Sequence, residues 1–227
     1  MKKVLLLLTF AFAVAGLKAQ NIQLHYDLGK DRSYLTSTVE MFKPDKLGNT
    51  FFFIDMDYGV GDVEGVSLGY FEIARCFTIA KSPFSWHAEY NGGFGQWKSG
   101  EFGGAYQIND AWLTGVDYSW NAKDFSRGFS LKVLYKNIRG AIGNDNSFQL
   151  TGVWYLNFLK GKMSFTGFAD FWKEENAHGS YIFLSEPQLW YNFTKKFAAG
   201  GEVELSNNFG GMDGFKVMPT LGAKYTF

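Results

Sequence analysis

The residue types behind most hydrolytic and metal chemistry are scarce in this chain: three histidines, His25, His87 and His178, and one cysteine, Cys76. A hydrolase needs a nucleophile oriented by a base. His178 sits in "EENAHGS" (174–180) close to Ser180, but without a supporting spacing. His87 and Glu89 alternate along "SWHAEYN" (85–91), so a base and its orienting carboxylate would share a face; the next residue on that face is Asn91, not a serine. A barrel hydrolase of the phospholipase type is therefore kept only as an alternative. Metal chemistry has no linear signature: no cysteine pair, no His-x-x-x-His and no EF-hand calcium loop. A glycine-rich phosphate loop is also missing, so no catalytic residue, metal or cofactor is expected. The chemistry left to this chain is non-covalent, by stacking on rings and by hydrogen bonds to carboxylates and lysines.

The elements that carry those groups follow from composition. The chain has 24 Phe, 12 Tyr and 7 Trp with 27 Gly and only 4 Pro, a balance that favours strands and turns over helices. Net charge is zero, which gives no reason to expect nucleic acid as a partner. "MKKVLLLLTFAFAVAGLKA" reads as a secretory signal peptide, residues 1–19, with cleavage expected after Ala19. No second run of about 18 apolar residues follows, which excludes spanning by helices. A single cysteine leaves the exported fold without an intramolecular disulfide.

From Asn21 onward about twelve strand-like runs recur, at 21–28, 33–43, 50–58, 66–79, 84–92, 105–120, 128–139, 147–159, 163–173, 181–192, 197–208 and 215–227. Most come near the roughly 9–11 residues that a tilted strand needs to cross a bilayer. The expected fold is an all-β, up-and-down antiparallel transmembrane barrel of about twelve strands, residues 20–227. The last run ends on Phe227, an aromatic end expected to complete a closing strand and to be presented to the barrel-assembly machinery. Short connections such as "GKM" (161–163) and "TKK" (194–196) are expected on the periplasmic side, and "GGFGQWKSGEFGG" (92–104) as a long outer loop. A soluble barrel would show the same alternation with its faces exchanged. Arg75, on the face of Phe71 and Ile73, and Pro187 and Pro219, inside strands, conflict with the simple pattern.

Placing charges inside, because a charge on lipid at mid-membrane is costly, gives an inner wall that is rich in acids and contains large rings. Within it, "SYLTSTVEMFKPDKLGNTFFFIDMDYG" (33–59) followed by "VSLGYFEIARCF" (66–77) resembles the Tsx-like family of nucleoside-specific channel-forming outer-membrane proteins. Glu40 and Phe42 match that family's early Glu-x-Phe strand, "KPDKLGN" (43–49) its turn, and Phe53, Asp55 and Asp57 its aromatic, acidic strand. The resemblance implies a monomeric, twelve-stranded porin of the Gram-negative outer membrane that passes nucleosides or similar small solutes. It also implies solute-binding roles for Glu40, Phe42, Phe53, Asp55 and Glu72. A structural or adhesive barrel working through its outer loops is the remaining alternative.

Overall fold

A computed structural model describes residues 20–30 and 32–227; the expected signal peptide lies outside them. Among the described residues there is no helix. The strands are β1 (Gln20–Asp27), β2 (Leu35–Asp45), β3 (Gly48–Tyr58), β4 (Val66–Thr78), β5 (Phe84–Ser99), β6 (Phe102–Asn121), β7 (Arg127–Ile138), β8 (Asn146–Phe158), β9 (Met163–Asn176), β10 (Gly179–Ser185), β11 (Gln188–Asn192), β12 (Phe197–Asn207) and β13 (Phe215–Thr226). All pairings are antiparallel between strands adjacent in the chain, save that β10 and β11 each pair with β9 and β12 rather than with one another, and β13 pairs with both β12 and β1. The sheet therefore closes on itself and leaves no unpaired edge.

β10 and β11 are two halves of one barrel strand, since β9 and β12 pair with both. The closed barrel thus has twelve strands. The break falls at Pro187, which has no N–H for the ladder, yet the register is kept across it: Ser185 pairs with Ala169 and Gln188 with Thr166. Pro219 is accommodated differently. Its carbonyl accepts from the Leu28 N–H at 2.9 Å, so its nitrogen faces β1 just past the last ladder pair, Asp27–Thr220.

Alternation sorts the two faces. Outside stand Ile22, Leu24, Leu131, Val133, Val217 and Leu221, all exposed, an apolar surface fit for lipid rather than water. Near the end that holds Gln20 and Phe227, the pairs Phe77–Trp86, Phe84–Tyr118, Trp120–Phe129, Tyr191–Phe193 and Tyr225–Phe227 pack ring to ring. Phe148, Phe171 and Tyr181 do the same toward the opposite end. Two aromatic girdles bounding an apolar band mark the exterior of a membrane barrel. Arg75 belongs to this outer face but lies at its rim, where its guanidinium holds Asp45 through two bonds of 2.6 and 2.8 Å.

The expectation of a loop over 92–104 is corrected. β5 and β6 run on past a bulge at Asn91–Gly93 and pair as far as Ser99–Phe102, so this segment is a β-hairpin with a two-residue turn. Glycines weaken strands for want of a side chain. Here rings cover them: a Cβ on Gly95 would meet the Tyr106 ring at 2.2 Å, and one on Gly104 would meet the Trp97 indole at 3.0 Å.

Candidate functional site

The lumen wall over β2–β4 is built by strict alternation in "TFFFIDMDY": Phe51, Phe53, Asp55 and Asp57 face inward while Phe52, Ile54 and Met56 face lipid. Three of the five expected binding residues form one row across neighbouring strands, Glu40 opposite Phe53 and Phe53 opposite Glu72. Asp55 stands one step along β3 between Thr38 and Tyr70. Phe42 shares the inner face, but it pairs with Phe51 nearer the rim and is 51% exposed. It flanks the row rather than joining it. The Phe53 ring lies between those of Phe51 and Tyr70, at 5.9 and 5.8 Å. Glu40 accepts from Asn21 at 2.9 Å and Asp55 from the Thr38 hydroxyl at 2.6 Å, bonds that hold each carboxylate in place while leaving its other oxygen without a side-chain donor among the described residues. These side chains are half-buried, so solvent reaches them.

Round the curve of the wall, Glu186 and Glu202 come within electrostatic reach of Asp55, and Glu202 of Glu40 as well. Four carboxyl groups, Glu40, Asp55, Glu186 and Glu202, thus line one stretch of the lumen. At the loop-bearing mouth, Arg32 folds in from the β1–β2 connection and bridges Asp27 at 3.0 Å and Glu204 at 2.9 Å. Burial works against its charge, but Glu204, Tyr34 and the bonds to Glu204 and Asp27 together outweigh it and hold the guanidinium above its ordinary pKa.

Other parts of the interior are filled. Trp190, fully buried, packs edge-on against His25 at 5.5 Å with the Lys224 ammonium 4.3 Å over its ring. Gly200, opposite Trp190, and Gly222, opposite His25, leave the room, since a Cβ on Gly222 would stand 3.0 Å from the His25 imidazole. On the β6–β10 side, Ala111, Leu113, Leu134, Ile138, Trp172 and Ile182 form an apolar cluster inside the barrel, with Phe209 of the β12–β13 loop folded against it. The ring-bearing wall of β2–β4, with Glu186 and Glu202 across from it, is therefore one polar stretch of an interior that is elsewhere partly apolar.

The hydrolase candidates separate. His178 bonds the Gly211 carbonyl at 3.0 Å, and no bond joins it to Ser180 among the described residues. His87 and Glu89 do meet, Nε2 to Oε2 at 2.8 Å, and a third member that sequence reasoning missed is Cys76, whose Sγ lies 3.3 Å from His87 Nδ1 and 3.5 Å from Asp117 Oδ2. Alternation puts Cys76 inside because Arg75 is outside; that signal was present in the sequence. As a nucleophile it lacks a partner for an oxyanion. β4 is paired on both sides at Cys76 and its neighbours, so the local backbone N–H groups are committed to the sheet.

A family model described as "Domain of unknown function (DUF5020)" matches residues 19–227. No curated protein sequence matches the chain. Among solved structures, the NanC porin aligns at a TM-score of 0.60 and 12% identity, covering 92% of this chain and 100% of that one. The KdgM porin in complex with disordered oligogalacturonate aligns at 0.52 and 13% identity, covering 91% and 99%. At these identities the likeness is one of fold: a closed barrel of the outer-membrane porin type.

Proposed function

The chain belongs to the DUF5020 family, and we propose that it is an outer-membrane channel through which small neutral or cationic polar solutes diffuse passively, nucleosides being the class its wall suits. The observation that carries this reading is the Phe51–Phe53–Tyr70 row beside four carboxyl groups in one stretch of lumen. A flat, partly apolar base gains about 1–3 kcal/mol by stacking on such a ring, and the neighbouring carboxylates accept from ribose hydroxyls or base amines. Contacts this open stay weak, as conduction requires. A polyanion such as the oligogalacturonate bound by the KdgM porin would be repelled by the same wall. On this reading the Tsx-like resemblance extends to solute class. The barrel works as a monomer in the Gram-negative outer membrane, delivered by export and by the assembly machinery that reads Phe227.

Refolded protein in a planar bilayer tests this, with current recorded under a salt gradient while adenosine, thymidine and a size-matched sugar are titrated. The expected result is a cation-selective current blocked by the nucleosides and not by the sugar. Phe53→Ala should weaken block roughly 5- to 150-fold, the equivalent of the stacking energy lost. Current without selective block would leave a general small-solute pore; a folded barrel that passes no current would end the channel reading.

The β5–β6 hairpin favours a second, adhesive reading, because Phe94, Trp97 and Phe102 on it are 65%, 52% and 78% exposed. Trimming residues 95–104 to a short turn should abolish any cell binding on that reading and leave solute block untouched.

A further inference from the structure

Cys76, His87 and Asp117 lie far apart in sequence and come from three successive strands, β4, β5 and β6. Register brings them together: Cys76 pairs with His87, and His87 pairs with Gly115, one alternation step from Asp117. One donor atom from each, a sulfur, a ring nitrogen and a carboxylate oxygen, lies within 4.8 Å of the other two. These are the donor types that Zn²⁺ takes, and three protein ligands leave a fourth position open. With Zn–S near 2.3 Å and Zn–N or Zn–O near 2.0–2.2 Å, tetrahedral geometry sets sulfur about 3.5 Å from its fellow ligands. The Cys76 sulfur stands 3.3 Å from His87 Nδ1 and 3.5 Å from Asp117 Oδ2.

The surroundings support the same assignment. Glu89 engages His87 Nε2 at 2.8 Å and is itself held by Asn91 at 3.3 Å. A carboxylate on the far nitrogen keeps the near one, Nδ1, free as a donor and raises its basicity. Ser119 donates to Asp117 Oδ1 at 2.9 Å, which leaves Oδ2 turned toward Cys76. Lys132 stands opposite Asp117 in the β6–β7 register. Cys76, His87, Glu89 and Asp117 are each no more than 5% exposed, where uncompensated charge is costly.

We infer that Cys76, His87 and Asp117 form a mononuclear transition-metal site for Zn²⁺ in the lumen wall, with Glu89 and Ser119 as positioning residues. The site shares the inner face of β4 with Glu72 of the Phe53 row, two alternation steps away, and does not depend on conduction.

Cobalt reports on it directly, since a thiolate on Co²⁺ produces a near-ultraviolet charge-transfer band and tetrahedral Co²⁺ a strong visible one. Co²⁺ is titrated into the refolded, reduced barrel in detergent, with heat-modifiable gel migration as the check of folding. Both bands should grow to saturation at one Co²⁺ per chain and vanish when Zn²⁺ is added. Cys76→Ser should remove the charge-transfer band. Glu89→Gln should weaken binding about 10- to 100-fold, and Asp117→Asn should weaken it too, which keeps the test decisive where Cys76→Ser does not fold. A folded wild-type barrel without the bands overturns the proposal. So do bands that persist with unchanged affinity in Asp117→Asn and Glu89→Gln, because the thiol would then bind cobalt without the site.

Discussion

Arg32 and Arg75 carry the same charge under opposite constraints. Arg75 faces the lipid side and escapes the cost by lying at the rim, bonded to Asp45 and to Thr50 and set 5.0 Å from the Phe77 ring centre. Arg32 turns into the mouth and neutralises Asp27 and Glu204, two carboxylates that are themselves largely buried. Arg32→Met keeps the bulk and removes the charge, leaving both acids without their cation. The expected outcome is a reversal potential shifted further toward cations and a lower urea midpoint, both measured on the refolded barrel; an unchanged reversal potential would take Arg32 out of the conduction path. How far such residues can be read from sequence follows from the pleat. Period-two alternation places Glu40, Phe53, Asp55 and Glu72 inside and Arg75 outside without any knowledge of partners. Which inward residues meet is a matter of register, and a slip of two residues leaves every side chain on its face. That is why the contact of Cys76 with His87 and Asp117 was hidden although the inward direction of each was legible.

At the level of elements, strand existence was legible nearly throughout, because each run alternates over enough residues to cross a membrane. Two places departed from it, and both involve glycine or proline. In the β10–β11 break, Gly167 of β9 lies against Pro187 and the Trp154 indole: a Cβ there would meet the Glu186 carbonyl oxygen at 2.7 Å, the Trp154 ring at 2.8 Å and the Pro187 Cα at 2.9 Å. Two of those three are backbone atoms of the neighbouring strand, which cannot step aside. Gly167→Val is therefore expected to destabilise the barrel by several kcal/mol, in the range of overpacking combined with backbone strain, read as loss of the heat-modifiable band on refolding. Normal refolding would show that the β10–β11 gap can widen. The β5–β6 hairpin is the other departure. Its glycine-rich sequence carries the composition of a loop, and its strand character comes from rings laid over glycines of the facing strand, a pairing invisible until the strands are placed side by side.

For the whole molecule, closure and the polarity of the two faces form a single argument. A ring of twelve strands satisfies its backbone groups between neighbours, which is the condition for crossing hydrocarbon, but a soluble barrel meets it equally. What distinguishes the two is which face water touches. Here the inner face holds the charged groups, and the outer face holds Leu131 and Val133, 56% and 65% exposed, near the middle of β7. If that face lies in lipid, an arginine at its centre costs about 2–4 kcal/mol and one near the interface almost nothing. Val133→Arg should thus lower the stability of the barrel by about that amount in urea titrations from phospholipid vesicles. Leu47→Arg, in the β2–β3 turn, should leave it nearly unchanged. Both are exposed apolar positions, one at mid-strand and one in a rim turn, so the contrast reads depth in the bilayer. Equal and small effects would mean that water reaches the outer face, and the aromatic girdles would then need a protein partner rather than a membrane to cover the band between them.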